Sequence, residues 1–169
     1  MKTTLFVVAI TGPAGAGKST VASKLAEKID RCVNIDADHV KHFIVNGFVY
    51  DETPEGVIQW KLLGQNISIL ARSFLDAGYN VIINGYINEP AWKQIARHIT
   101  LTHKILLLPE LDTVKMRDVG RSKDIAMGAE AVTTHHDYFS TADFYDDFIR
   151  LDTTKHDIDQ TVSIIKDKL

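Results

Sequence analysis

A chain of 169 residues with 45% apolar and 24% charged residues has the size and balance of one ordinary globular domain with a sizeable core. Its net charge of −3 and pI of about 6.1 leave no electrostatic footprint for nucleic acid. No stretch approaches the roughly 18 apolar residues that a membrane span needs, and the lone Cys32 excludes an internal disulfide, reads as a small buried hydrophobe and favours a reducing cytoplasm.

The opening run Leu5 to Ile10 is continuous and apolar. It leads straight into a glycine-rich loop with no cleavage region, so it reads as a strand buried on both faces rather than a signal peptide. Val21, Ala22, Leu25, Ala26 and Ile29 recur at helical spacing and predict a helix over about Lys18 to Lys28. Cys32 to Ile35 reads as a second strand, followed by a short helix over about Asp38 to Val45. Pro54 to Ala77 predicts one long helix or two in series, with Val57, Trp60, Leu63, Ile67, Leu70 and Phe74 as its stripe and Gly78 as its stop. That stripe serves the core or, in part, a homodimer face, so monomer and homodimer both remain open.

Asn80 to Asn84 is the third expected strand. Pro90 suits the first turn of a helix running to about His98, and Lys104 to Leu108 is the fourth strand. Leu111 to Phe139 is helical in composition but interrupted by Gly120 and Gly128. Phe148 to Leu151 is a short fifth strand. Asp157 with Gln160 three residues on has the form of a capping box, opening a helix striped by Ile158, Val162, Ile165 and Leu169. Strands alternating with helices predict an α/β fold: a parallel sheet covered on both faces, with ligands at the carboxyl ends of its strands.

Gly12-Pro13-Ala14-Gly15-Ala16-Gly17-Lys18-Ser19 lies between the first strand and the first helix. The glycines let successive N–H groups turn into one concavity, and the helix N-terminus adds attraction for phosphate. Lys18 places a cation against the β and γ phosphates, and Ser19 offers a hydroxyl to Mg2+. Thr20 reaches the α phosphate or caps the helix start. The motif in this context points to ATP with Mg2+.

Two carboxylates, Asp36 and Asp38, follow the second strand. There a carboxylate can accept a hydroxyl proton or hold Mg2+ through water, or merely cap the next helix. Extended backbone would put both on one side. Asp38 is assigned as the hydroxyl-facing base and Asp36 to the metal shell.

The third strand ends in Asn84-Gly85, where many P-loop ATPases carry an aspartate for the metal. Asn84 brings no charge. This argues against a motor or AAA-type ATPase and moves metal binding onto Ser19, the Asp36/Asp38 pair and water. Otherwise Asn84 is a turn residue.

Arg117 and Arg121, four apart, are expected on one helix face in a segment Met116 to Asp124 that could close as a lid over the phosphates, with Gly120 and Gly128 as hinges. A solvated charged face is the alternative. His135 and His136 are adjacent and so point in different directions, which speaks against a shared metal. His39, His42, Tyr86 and Glu89 follow strand ends and either line an acceptor pocket or lie on the surface.

These segments, with Leu151-Asp152-Thr153-Thr154, resemble the small P-loop kinases. The match is to the branch holding chloramphenicol phosphotransferase-like proteins, with shikimate, gluconate and adenylylsulfate kinases and zeta toxins as relatives. The resemblance implies a five-stranded sheet of order 2-3-1-4-5, a single domain over residues 1–169 with a lid at about 112–140, and lid roles for Arg117 and Arg121. It places Asp36 and Asp38 at the Mg2+ and acceptor positions, and the segment around Thr153 beside adenine. The region from Phe43 to Gly56 matches none of these relatives. The reading is a cytoplasmic kinase that moves the γ-phosphate of ATP to a hydroxyl of a small polar molecule. Its alternatives are a toxin-like or antibiotic-modifying kinase and a nucleotide-binding regulatory module.

Overall fold

The computed structural model describes residues 5–49, 52–121 and 126–169. Ser122, Lys123 and Asp124 of the expected lid, and Tyr50 and Asp51 of the unmatched region, lie outside the described residues.

Strand β1 (Val7–Thr11) is buried at every position. It pairs in parallel with β3 (Asn80–Asn84) on one side and β4 (His103–Leu107) on the other. The edge strands β2 (Cys32–Asp36) and β5 (Ile149–Leu151) are also parallel to their neighbours. The order is therefore β2-β3-β1-β4-β5, as the resemblance implied. Each of the five expected strands forms within one or two residues of its expected bounds.

The sheet alternates its side chains between two cores. Val7, Ala9, Val81 and Ile83 face Trp60, Leu63 and Ile67 of helix α3 (Pro54–Asp76) and Trp92 and Ile95 of α4 (Glu89–His98). Val8, Ile10, Ile82 and Ile105 face Val21, Ala22 and Leu25 of α1 (Lys18–Glu27) and Val162 and Ile165 of α7 (Ile158–Lys166). The helix starts follow local chemistry. Thr53 accepts from the Gly56 amide at 3.2 Å to open α3, and Asn88 from that of Ala91 at 3.3 Å to open α4. Asp157 and Gln160 exchange hydrogen bonds of 2.8 and 2.9 Å in the expected capping box.

Two expectations are corrected, on α3 and on α2, and the expected interruption at Gly120 and Gly128 is met. The 54–77 segment is one helix, but its buried face runs through Trp60, Leu63, Gly64, Ile67, Ser68 and Ala71, while Phe74 is exposed. The small residues set that face: α4 crosses so close that a Cβ at Gly64 would collide with the carbonyl oxygen of Ala91. Helix α2 covers only Ala37–Lys41, short of the expected Val45. Phe43 and Val45 are 71% and 93% exposed, so no apolar stripe extends it. The 111–139 stretch divides into α5 (Leu111–Val119) and α6 (Ala129–Thr141). Among the described residues no helix is long and apolar enough to cross a membrane.

Candidate active site at the phosphate loop

The loop from Gly12 to Ser19 leaves the carboxyl end of β1 and runs into the N-terminus of α1. Gly12 has a φ of +148°, and a Cβ there would collide with the Leu107 carbonyl oxygen; only glycine fits. Pro13, Ala14 and Ala16 are buried, Gly15 and Gly17 half-buried, and Ser19 and Thr20 exposed at the helix start. The arrangement leaves the first-turn amides of α1 as the donors that an anion would meet.

Lys18 folds back on the loop, its Nζ donating to the Pro13 carbonyl at 2.9 Å. Its pKa falls from 10.5 to about 8, chiefly because burial disfavours the ammonium; Asp38 and Asp36 oppose that fall and Arg121 adds to it. Three residues from three different elements thus act on one ammonium. Asp36, Asp38 and Arg121 therefore lie within electrostatic reach of Lys18.

The two carboxylates stand differently from expectation. Asp36 ends β2 and is the N-cap of α2, its Oδ1 accepting from the Asp38 amide at 2.9 Å and, more weakly, from that of His39 at 3.4 Å. Asp38 sits in the first helical turn. The chain between them is turning, not extended, so the alternation argument that put both on one side does not hold. Asp36 combines the capping role with its place by the loop, and Asp38 is free of that duty.

Asn84 pairs in register with Ile10 and with Asp36 and is wholly buried. Its Nδ2 donates to Asn34 Oδ1 at 2.8 Å, while its own Oδ1 has no hydrogen-bond partner among the described residues. It is a packed strand end, not a turn residue. An unmet buried acceptor calls for water. The hydroxyl of Ser19 and the second carboxylate oxygen of Asp36 are hard oxygen donors of the kind that Mg2+ takes. The residues present fit that ion.

The family model described as an AAA domain matches residues 7–140. The chain belongs to that family. The description names a domain family and not a motor activity, so the inference drawn from Asn84, which ends β3 without a charge, is not contradicted by it. A cytidylate kinase from Alkaliphilus oremlandii (strain OhILAs) is 27% identical over 136 residues, which are 77% of this chain and 56% of that protein. The chain thus spans little more than half the length of this curated relative. The solved tunicamycin resistance protein of Deinococcus radiodurans is 18% identical, with a TM-score of 0.71 over 98% of this chain and 95% of that one. A sugar kinase from Janibacter sp. HTCC2649 is 15% identical, with a TM-score of 0.72 over 96% and 92%. These likenesses establish a small P-loop kinase fold for this AAA-domain chain.

The two lid arginines part company. Helix α5 closes at Val119, so Arg121 lies beyond its cap and the expected shared face is not formed. Arg117 donates from Nη2 to the Thr153 carbonyl at 3.0 Å. Thr153 is buried, and its Oγ1 has no hydrogen-bond partner among the described residues. Arg121 instead faces Asp118, 3.3 Å away, and is close enough to Lys18 to affect its charge. The adjacent histidines diverge as expected: the His136 ring reaches the Pro109 carbonyl at 3.0 Å, and the His135 ring packs 4.9 Å from that of Tyr86. Glu89 pairs with Lys93 at 2.6 Å, and His39 is exposed.

Two residues of this AAA-domain site escaped the sequence reading. Asp118 is 3% exposed, and its carboxylate accepts from the amides of Met127 and Gly128 at 3.0 Å each. Burial alone would raise its pKa, but these bonds and Arg121 outweigh it and hold the group below the ordinary carboxylate value. The aspartate joins the start and end of the loop that carries Arg121. Lys41 is buried among aromatic rings, its Nζ 3.8 Å from the ring centre of Trp60. Its spacing of three from Asp38 was a usable helical signal, and Asp118 stands at the same spacing from Arg121.

Proposed function

We propose that this chain is an ATP-dependent phosphotransferase that moves the γ-phosphate of ATP-Mg to a hydroxyl of a small polar molecule. The carboxylate of Asp38 and the guanidinium of Arg121, both near enough to the loop's Lys18 for their charges to act on it, carry the reading. A nucleotide switch needs the loop but needs neither the carboxylate nor the arginine there. The reading treats the chain as one kinase domain in which residues of about 112–140 serve as the lid.

In this reading the loop amides and Lys18 hold the phosphates, exchanging the Pro13 carbonyl for phosphate oxygen. Thr153 and Arg117 lie at the adenine end. Ser19 and Asp36 hold Mg2+, which offsets charge on the phosphate oxygens when bound. Asp38 accepts the acceptor's hydroxyl proton as that oxygen bonds to the γ-phosphorus, and the bond from the γ-phosphorus to the leaving ADP oxygen breaks. Arg121 and Lys18 face the charge that spreads over the transferring group, and the closed lid keeps water from competing as acceptor.

The test is transfer from labelled ATP-Mg to a panel of sugars, sugar acids, nucleosides, nucleoside monophosphates, aminoglycosides and chloramphenicol-like compounds. One product formed well above ATP hydrolysis supports the kinase. Tight ATP binding with no product across the panel favours a regulatory nucleotide module.

A further inference from the structure

Helix α3 holds Ile58, Leu62 and Ile69 out in solvent, 58%, 41% and 60% exposed, opposite the face that packs on the sheet and on α4. Apolar residues scattered singly over a surface need no explanation. These three are not scattered. Glu55, Ile58, Leu62, Gln65, Ile69 and Arg72 step by three and four residues in strict alternation, and each of them is exposed. That is the seven-residue repeat with which one helix lies along another, and it runs along about 25 Å of α3.

The charges say which helix fits. The stripe is apolar in its middle, acidic at its first position and basic at its last. Neither Glu55 nor Arg72 forms an ion pair among the described residues. Each is steadied by one hydrogen bond: Gln59 donates to Glu55 at 2.9 Å, and Arg72 donates to the His98 carbonyl at 2.9 Å. In an antiparallel pair of such helices, the first position of each heptad faces the fourth position of the partner. A second copy of α3 laid this way sets Ile58 against the partner's Ile69, Leu62 against the partner's Gln65, and Glu55 against the partner's Arg72. Each pairing occurs twice about the two-fold axis. Asp76, the next position of the repeat, lies past Pro54, where the partner's helix begins. A parallel pair would instead set Glu55 against Glu55 and Arg72 against Arg72, which repels at both ends. The polar Gln65 at the centre fixes the register. Beside the stripe, Ile69, Arg72 and His98 border a concavity of about 550 Å³, which gives the partner's Ile58 room to seat.

We infer that the chain forms a homodimer through an antiparallel pairing of α3 along the stripe from Glu55 to Arg72. The pairing does not depend on the kinase reading: the stripe is the outer face of α3, and the phosphate loop stands at the carboxyl end of β1.

Sedimentation velocity across the micromolar range tests it. The expected result is a concentration-dependent equilibrium between monomer and dimer. Ile69→Asp abolishes the dimer, because each copy then brings a carboxylate into the apolar middle. Glu55→Arg and Arg72→Glu each turn two attractions into two repulsions and weaken the dimer about ten-fold or more. The double variant Glu55→Arg, Arg72→Glu restores both pairs with their signs exchanged and recovers most of the lost affinity. Retained binding of an ATP analogue shows that each variant is folded. A monomer at every concentration, a dimer that survives Ile69→Asp, or a double variant no tighter than the two single ones would overturn the inference.

Discussion

In the free protein the Lys18 ammonium is held by the Pro13 carbonyl at 2.9 Å with a pKa of about 8. Phosphate would add negative charge beside it and raise that value. The nucleotide-bound form then keeps a proton that the free form has half lost at pH 8, so binding takes up protons and affinity falls as pH rises through 8. Calorimetry at pH 8 in two buffers of different ionisation enthalpy should show that uptake, and Lys18→Met should abolish it along with most of the affinity. Stability runs the other way. The folded pKa lies below the ordinary 10.5, so the unfolded chain binds more protons in between. Lys18 and Lys41 should both make the free protein more stable as pH climbs from 8, visible as a rising midpoint that flattens in the Lys18→Met, Lys41→Met double variant. At Asp38, substitution by Asn keeps the shape and removes the base. Transfer should drop by about 10²–10⁴ while ATP affinity stays within a few-fold; unchanged turnover would place the base elsewhere.

At the level of elements, two contacts decide how the site is held. The first is the α3–α4 crossing. Gly64→Ala puts a methyl group against the Ala91 carbonyl, and such overpacking costs about 1–3 kcal/mol; the thermal midpoint should fall by several degrees with transfer kinetics little changed. The second is Asp118. Asp118→Asn removes the charge that holds Arg121 and at least one of the bonds to the Met127 and Gly128 amides. The expected kinetic signature is a lower kcat with nearly unchanged KM for ATP, because the loop amides and Lys18 still hold the phosphates. A variant that loses ATP affinity as well would show that Asp118 supports the loop rather than the lid.

Across the whole molecule, what could be read from the sequence was what neighbours in the chain determine. The phosphate loop, the strands and the Asp157–Gln160 capping box each depend on residues within a few positions, and each formed as expected. What could not be read depends on contacts between distant segments. The buried face of α3 is set by where α4 crosses at Gly64. Arg117 and Arg121 looked equivalent in the sequence, but Arg117 reaches Thr153 from the far end of the chain, while Arg121 stays with Asp118 three residues before it. Lys41 reads as a surface charge until Trp60 and Tyr86 are seen around it. Ligand binding couples to the same whole: an ATP analogue at 100 times its Kd should raise the thermal midpoint by about 5–10 °C.

Apart from the two large cores there is a third, small one, in which Ala14 of the phosphate loop packs with Val114 of α5 and Val132 of α6. Formally position 14 is a variable place in the loop motif, but here its side chain is also part of the seat on which α5 and α6 rest. The two parts therefore cannot drift independently over evolutionary time. Among relatives of this chain, residues 14, 114 and 132 should exchange bulk as a group, a larger side chain in the loop being matched by smaller ones beneath the lid. A transplanted loop should fail in this protein unless those two partners travel with it.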